Sequence, residues 1–79
     1  MNDDFARILM KVMDKGRALN KLAKANDKQI NVLDNCKFEL SQIKLGTSAA
    51  TIQNITNAIS ALKGLNTAIA EELKMLKGR

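Results

Sequence analysis

The chain has 79 residues, of which 46% are apolar but only 3% aromatic, and its formal net charge is +5. The absence of Trp and Tyr excludes an aromatic surface on which bases could stack, which disfavours single-stranded nucleic acid as a ligand. The lack of proline and the presence of only four glycines predict an all-α fold, and the length predicts one domain over residues 1–79. A core of this size supplies only about 3–5 kcal/mol, so we expect self-association.

The first part of the chain has the apolar spacing of a helix. Its apolar residues lie mostly three, four or seven positions apart, which predicts a helix over about residues 3–45. Asp3 and Asp4 favour its start, because they complement the positive end of the helix dipole. The apolar stripe consists of Phe5, Ile8, Val12, Leu19, Leu22, Leu33, Cys36, Leu40 and Ile43.

This stripe is interrupted near Asn26, and two interpretations are open. In the first, one long helix continues through Asn26 and Gln29. In the second, Asn26 to Gln29 form a capping box that starts a new helix. The second interpretation gives a three-helix unit with helices over about residues 3–25, 28–45 and 48–77.

A turn is predicted at residues 45–48. Gly46 fits a left-handed conformation, and Thr47 or Ser48 can cap the next helix. That helix, over about residues 48–77, has an unbroken 3,4 repeat typical of coiled-coil packing. The repeat consists of Ile52, Ile55, Ile59, Leu62, Asn66, Ile69, Leu73 and Leu76. A turn this short predicts an antiparallel helical hairpin.

The polar interruptions of the two helices are predicted to meet. If the turn is centred near residues 47 and 48, the numbers of facing residues add up to about 95. Gln29 then faces Asn66, with Asn26 one step away. We therefore predict a buried polar layer of Asn26, Gln29 and Asn66 that specifies the register of the hairpin.

The hairpin would leave the start of the first helix uncovered. By the same rule Arg79 reaches only about as far as Gly16. Exposed large apolar side chains are costly, which predicts a coiled-coil-like helical-bundle homo-oligomer or a protein partner of unknown identity. The second helix also has an apolar surface wider than one seam, which favours the same association. The residues that widen it are Ala58, Ala61, Leu65, Ala68 and Met75. A membrane surface that covers the amphipathic segment 3–25 is a further alternative. The predicted interface consists of Phe5, Ile8, Leu9, Val12, Met13, Leu65 and Met75.

Residues that could carry catalysis are scarce. The chain has no His, and its one thiol, Cys36, is predicted to pack in the apolar stripe. We therefore expect neither an enzyme nor a cofactor or metal site. No apolar stretch approaches the roughly 20 residues of a membrane span, and acids near the start are unlike a secretory signal, which predicts a cytoplasmic location.

A basic surface gives a second hypothesis. Residues 1–28 carry a net charge of +3 and residues 63–79 a net charge of +2, whereas residues 29–62 are neutral. The candidate anion-binding residues are Arg17, Lys21, Lys24, Lys28 and Lys74. They could bind nucleic acid, or a nucleotide or other phosphorylated small molecule. Our first hypothesis is a non-enzymatic interaction module, such as an adaptor, inhibitor or assembly factor; the alternative is this anion binder, with a composition compatible with a phage or mobile-element origin.

Overall fold

A computed structural model describes residues 2–43 and 45–77, with side chains from residue 3 onward. Two α-helices, α1 (Asn2–Gln42) and α2 (Ala49–Lys77), pack against each other as a rod with extents of 67 × 15 × 14 Å. The described residues contain no strand. The all-α class and the two-helix alternative are thus confirmed.

Helix α1 runs without a break through Asn26, so the three-helix alternative is wrong. The reason is the partner that the Asn26 side chain finds. Its amide Nδ2 donates a hydrogen bond across the hairpin to Oδ1 of Asn66, at 2.9 Å. The Asn26 side chain is therefore used between helices and does not cap a new one.

The turn satisfies the backbone groups at the helix ends. The Ile43 N–H donates to the Glu39 carbonyl at 3.3 Å, and Gly46 has a φ of +70°, the left-handed conformation that the sequence predicts. The Ser48 carbonyl accepts the first bond of α2, from the Ile52 N–H at 2.8 Å. The Thr47 hydroxyl accepts a hydrogen bond from the Ala49 N–H at 3.3 Å. Helix α1 ends at Gln42, three residues before the predicted limit.

A seam from each helix forms the contact between them, and we call this pair the primary seams. The α2 seam is the predicted 3,4 repeat, and each of its members is buried or half-buried. The α1 seam also alternates steps of three and four, through half-buried residues and the buried Asn26. It consists of Gly16, Leu19, Ala23, Asn26, Ile30, Leu33, Lys37 and Leu40.

The α1 seam differs from the predicted stripe. Leu22, Cys36 and Ile43 are exposed, and Ala23, Ile30 and Lys37 take seam positions instead. A search for large apolar residues misses a seam that includes an alanine, a lysine and an asparagine. The prediction that Cys36 packs in the core was wrong for this reason.

The register also differs from the prediction by three residues. Matching the primary seams at Asn26 and Asn66 makes the numbers of facing residues add up to 92 instead of about 95. The earlier end of α1, which centres the turn on Gly46, agrees with this register. Gln29 is consequently exposed and lies outside the polar layer, whereas Asn26 is only 7% exposed.

No buried side-chain nitrogen or oxygen among the described residues lacks a hydrogen-bond partner, and this includes the polar layer. Nδ2 of Asn66 donates to Oδ1 of Asp27 at 2.9 Å and to the Ala23 carbonyl at 3.4 Å. A shift of one heptad would place Asn66 opposite Leu19 or Leu33 and leave its amide buried without these acceptors. Such an unpaired group costs about 1–3 kcal/mol, so the layer opposes alternative registers.

We expect Asn66→Ala to lower the free energy of unfolding by about 1–3 kcal/mol, because it leaves the Asn26 amide buried without its partner. The double change Asn26→Leu with Asn66→Leu should recover most of that loss by replacing both partners with apolar groups. Urea unfolding followed by circular dichroism measures both effects.

Gln29→Ala is the matched control, since Gln29 is an exposed amide near the same level of α1. It should change the stability by less than about 0.5 kcal/mol. A loss as large as that of Asn66→Ala would instead support the register in which Gln29 faces Asn66.

Candidate interaction surface

The first turns of α1 extend beyond the end of α2. Helix α1 is 12 residues longer than α2, which corresponds to about 18 Å of helix. When the numbers of facing residues add up to 92, Lys77 lies level with Lys15, so no described residue of α2 is level with α1 on the N-terminal side of Lys15. Arg79 lies outside the described residues. The exposed apolar residues of this overhang are Phe5, Ile8, Leu9, Met10, Val12 and Met13.

A groove lies where the overhang meets the end of α2. It is lined by apolar side chains of both helices and is bordered by an ion pair between Lys15 Nζ and Glu72 Oε2 at 2.9 Å. Its apolar lining consists of Phe5, Ile8, Leu9, Val12, Met75 and Leu76. The structure thus brings five of the seven predicted interface residues together. Met13 and Leu65 are exposed but do not line the groove.

Each helix also carries a second apolar seam beside its primary seam. The positions again alternate by three and four, and all of their apolar members are exposed. On α1 and directly after its end they are Ala18, Leu22, Ala25, Val32, Cys36 and Ile43, with Gln29 and Glu39 as polar members of the same row. On α2 they are Ala58, Ala61, Leu65, Ala68 and Met75, with the half-buried Glu72 as a polar member of the same row. The sequence pattern identifies the α2 members of the second seam. On α1, the predicted apolar stripe combines members of the primary and the second seam.

The two second seams lie on the same side of the hairpin, as the groove residues show. Lys15 precedes Leu22 by one heptad, and Glu72 follows Leu65 by one heptad. Helical residues seven apart share a face, and Lys15 and Glu72 contact each other. The second seams are therefore neighbours, and together they form one exposed surface, which we call the apolar face.

The opposite side of the hairpin is polar. Asp27, which binds Asn66, lies there together with Asp34, one heptad further along α1. At the equivalent heptad position α2 carries Lys63 and Lys77. The hairpin is amphipathic across its width, with its interior seams between a polar side and an apolar face.

The candidate anion-binding residues lie on exposed outer surfaces of both helices. Lys21 and Lys28 lie on the side of α1 opposite its primary seam, and Arg17 forms an ion pair with Asp14. Lys21, Lys24 and Lys28 have no acidic group within 4.0 Å among the described residues. Lys74 lies on the outer edge of α2. The structure therefore brings the α1 cations together but does not place Lys74 among them.

Functional groups of other kinds are sparse in the described part of the chain. Within residues 2–43 and 45–77 there is no group of three His, Cys, Asp or Glu side chains that could hold a metal ion. Neither α1 nor α2 combines the length and apolar character needed to cross a membrane. The exposed surface with a regular 3,4 apolar pattern on both helices is the apolar face.

The chain was also compared with known proteins. No protein-family model, no curated protein and no solved structure matches it.

Proposed function

We propose that this protein is a non-enzymatic interaction module that works as a helical homo-oligomer through its apolar face. The observation that carries this proposal is the second apolar seam on each helix, both on one side of the hairpin. A helix with a single buried seam needs one neighbour, whereas a helix with two adjacent seams packs against two. The hairpin provides only one neighbour for each helix.

The burial achieved by the hairpin supports the same conclusion. Among the described apolar residues, only Ile59 and Ile69 are buried, at 7% and 3% exposure. On the apolar face, by contrast, Val32 is 52% exposed and Met75 is 69% exposed. Burying a large aliphatic side chain stabilises a structure by about 1.5–3 kcal/mol. A further layer of helices on the apolar face would bury several such side chains and so enlarge a small core.

The shape of the apolar face suits helix packing. Three alanines, Ala58, Ala61 and Ala68, follow the α2 side of the face, and Ala18 and Ala25 follow the α1 side. Small residues allow helix axes to approach to about 8 Å, the close end of the usual range. Leu22 and Leu65 supply the larger side chains that such packing would bury.

We expect the double change Leu22→Asp with Leu65→Asp to reduce the mass in solution to that of one chain, because it places two carboxylates at the centre of the apolar face. Phe38→Asp is the matched control. Phe38 is 65% exposed but lies off the apolar face, so this variant should keep the mass of the oligomer. Light scattering after size exclusion measures both, with circular dichroism to verify that the helices remain. A monomeric wild-type chain would contradict the proposal.

A second candidate function is anion binding by the α1 cations. The observation that favours it is that Lys21, Lys24 and Lys28 have no acidic neighbour among the described residues and lie away from the apolar face. An oligomer formed through that face would leave them accessible. A few lysine contacts give salt-dependent binding to phosphates with little base readout.

For this candidate we expect Lys21→Glu with Lys24→Glu to abolish binding of a fluorescent 20-base-pair DNA duplex without changing the helix content. Fluorescence anisotropy over a salt series measures the affinity, and wild-type binding should weaken steeply as salt rises. Lys63→Glu with Lys77→Glu changes the charge equally at sites on α2 and serves as control. Equal losses in the two variants would indicate a general charge effect, and no binding by the wild-type chain would count against a nucleic-acid site.

A further inference from the structure

We infer that the occupant of the apolar face is a second copy of this chain in antiparallel orientation, so that the overhang of each copy lies beside the turn end of the other. This inference rests on the homo-oligomer proposed above and adds the surface, the partner and the direction. Three features of the described residues support it: the size of the face, the charge along the rod, and the apolar residues at its two ends.

The apolar face has the size of a stable dimer interface. The paired helices are about 44 Å long, from the 29 residues of α2, and the rod is 15 Å wide. One side therefore presents roughly 650 Å², and two copies would cover roughly 1,300 Å² together. That value lies in the range of about 1,200–2,000 Å² found for specific protein interfaces.

The charge along the rod selects the antiparallel direction. The described residues 2–28 and 63–77, with net charges of +3 and +1, share the open end of the hairpin, and the described residues of the turn end, 29–43 and 45–62, carry a net charge of −1. Parallel copies would place two strongly positive ends side by side. Antiparallel copies separate these ends by far more than the Debye length of about 8–10 Å, so dissolved salt screens the remaining repulsion.

The two ends of the rod are also complementary in apolar character. At the open end, Ile8 belongs to the same heptad row as Leu22 and is 63% exposed. At the turn end, Val32 and Ile43 of the apolar face are 52% and 62% exposed. We place the dyad of the antiparallel dimer near the middle of α1, because the overhang of one copy then lies over Val32 and Ile43 of the other. The parallel arrangement would leave each overhang against another overhang, with no α2 beside either.

Distances between spin labels test the direction. Arg7→Cys and Lys28→Cys, each in a Cys36→Ala background, place one label per chain on the same outer side of α1, off the apolar face. With the dyad near the middle of α1, every residue away from it adds about 3 Å between the two labels. We expect about 45–60 Å along the rod for labels at residue 7 and less than about 20 Å for labels at residue 28.

The outcomes separate this inference from the proposed function. A dimeric mass with the long and short distances supports the antiparallel dimer. A dimeric mass with equal distances at both sites overturns the direction but leaves the homo-oligomer standing. A monomeric mass for the Cys36→Ala chain and for the wild-type chain overturns both.

The reactivity of the native thiol tests which face is covered. Cys36 is exposed in the single hairpin and belongs to the apolar face. At concentrations where the chain is dimeric, its reaction with a colorimetric disulfide reagent should be at least about tenfold slower than in the Leu22→Asp, Leu65→Asp variant. Phe38→Asp should react at the wild-type rate. A dimer whose Cys36 reacts as fast as that of the monomeric variant would show that another surface is covered.

Discussion

The hydrogen bond between Asn26 and Asn66 is the constraint on which the rest of the structure depends. Aliphatic seams with a 3,4 repeat can slide by a heptad at little cost, because each large apolar residue then meets another of similar shape. An amide pair cannot slide in this way, since its groups would be buried without partners. Once Asn26 faces Asn66, each remaining level of the hairpin is determined, from Leu40 and Ile52 at the turn to Gly16 and Leu76 at the open end.

The register then determines which surfaces stay exposed. It leaves residues 2–14 of α1 without a counterpart in α2, and it places the second seams of both helices on one side. A hairpin is a single layer of helices, and a single layer has no interior besides the contact between its two members. The apolar face is thus a direct consequence of a chain that carries two seams per helix but only two helices.

Polarity is distributed in two directions in this molecule. Across the width of the rod, the apolar face is opposite a side that carries Asp27, Asp34 and Lys63. Along the rod, the positive charge of the described residues is concentrated at the open end, whereas the described residues of the turn end carry a net charge of −1. The first distribution supports the choice of the surface that docks, and the second supports the direction in which a second copy would approach. Lys21, Lys24 and Lys28 lie outside the apolar face, so interaction through that face and anion binding would not compete for the same residues.

The sequence by itself determined the helical class, the turn at Gly46 and every member of the α2 seam, because these depend on local spacing and on residues with strong conformational preferences. It did not determine the α1 seam or the polar layer. Gln29 and Asn26 are both amides near the right level, and the two registers that would pair one or the other with Asn66 differ by only three residues. Cys36 and Leu22 are apolar and helically spaced, yet they belong to the second seam. Only the tertiary structure separates two adjacent seams on one helix, because the separation depends on where the neighbouring helix lies.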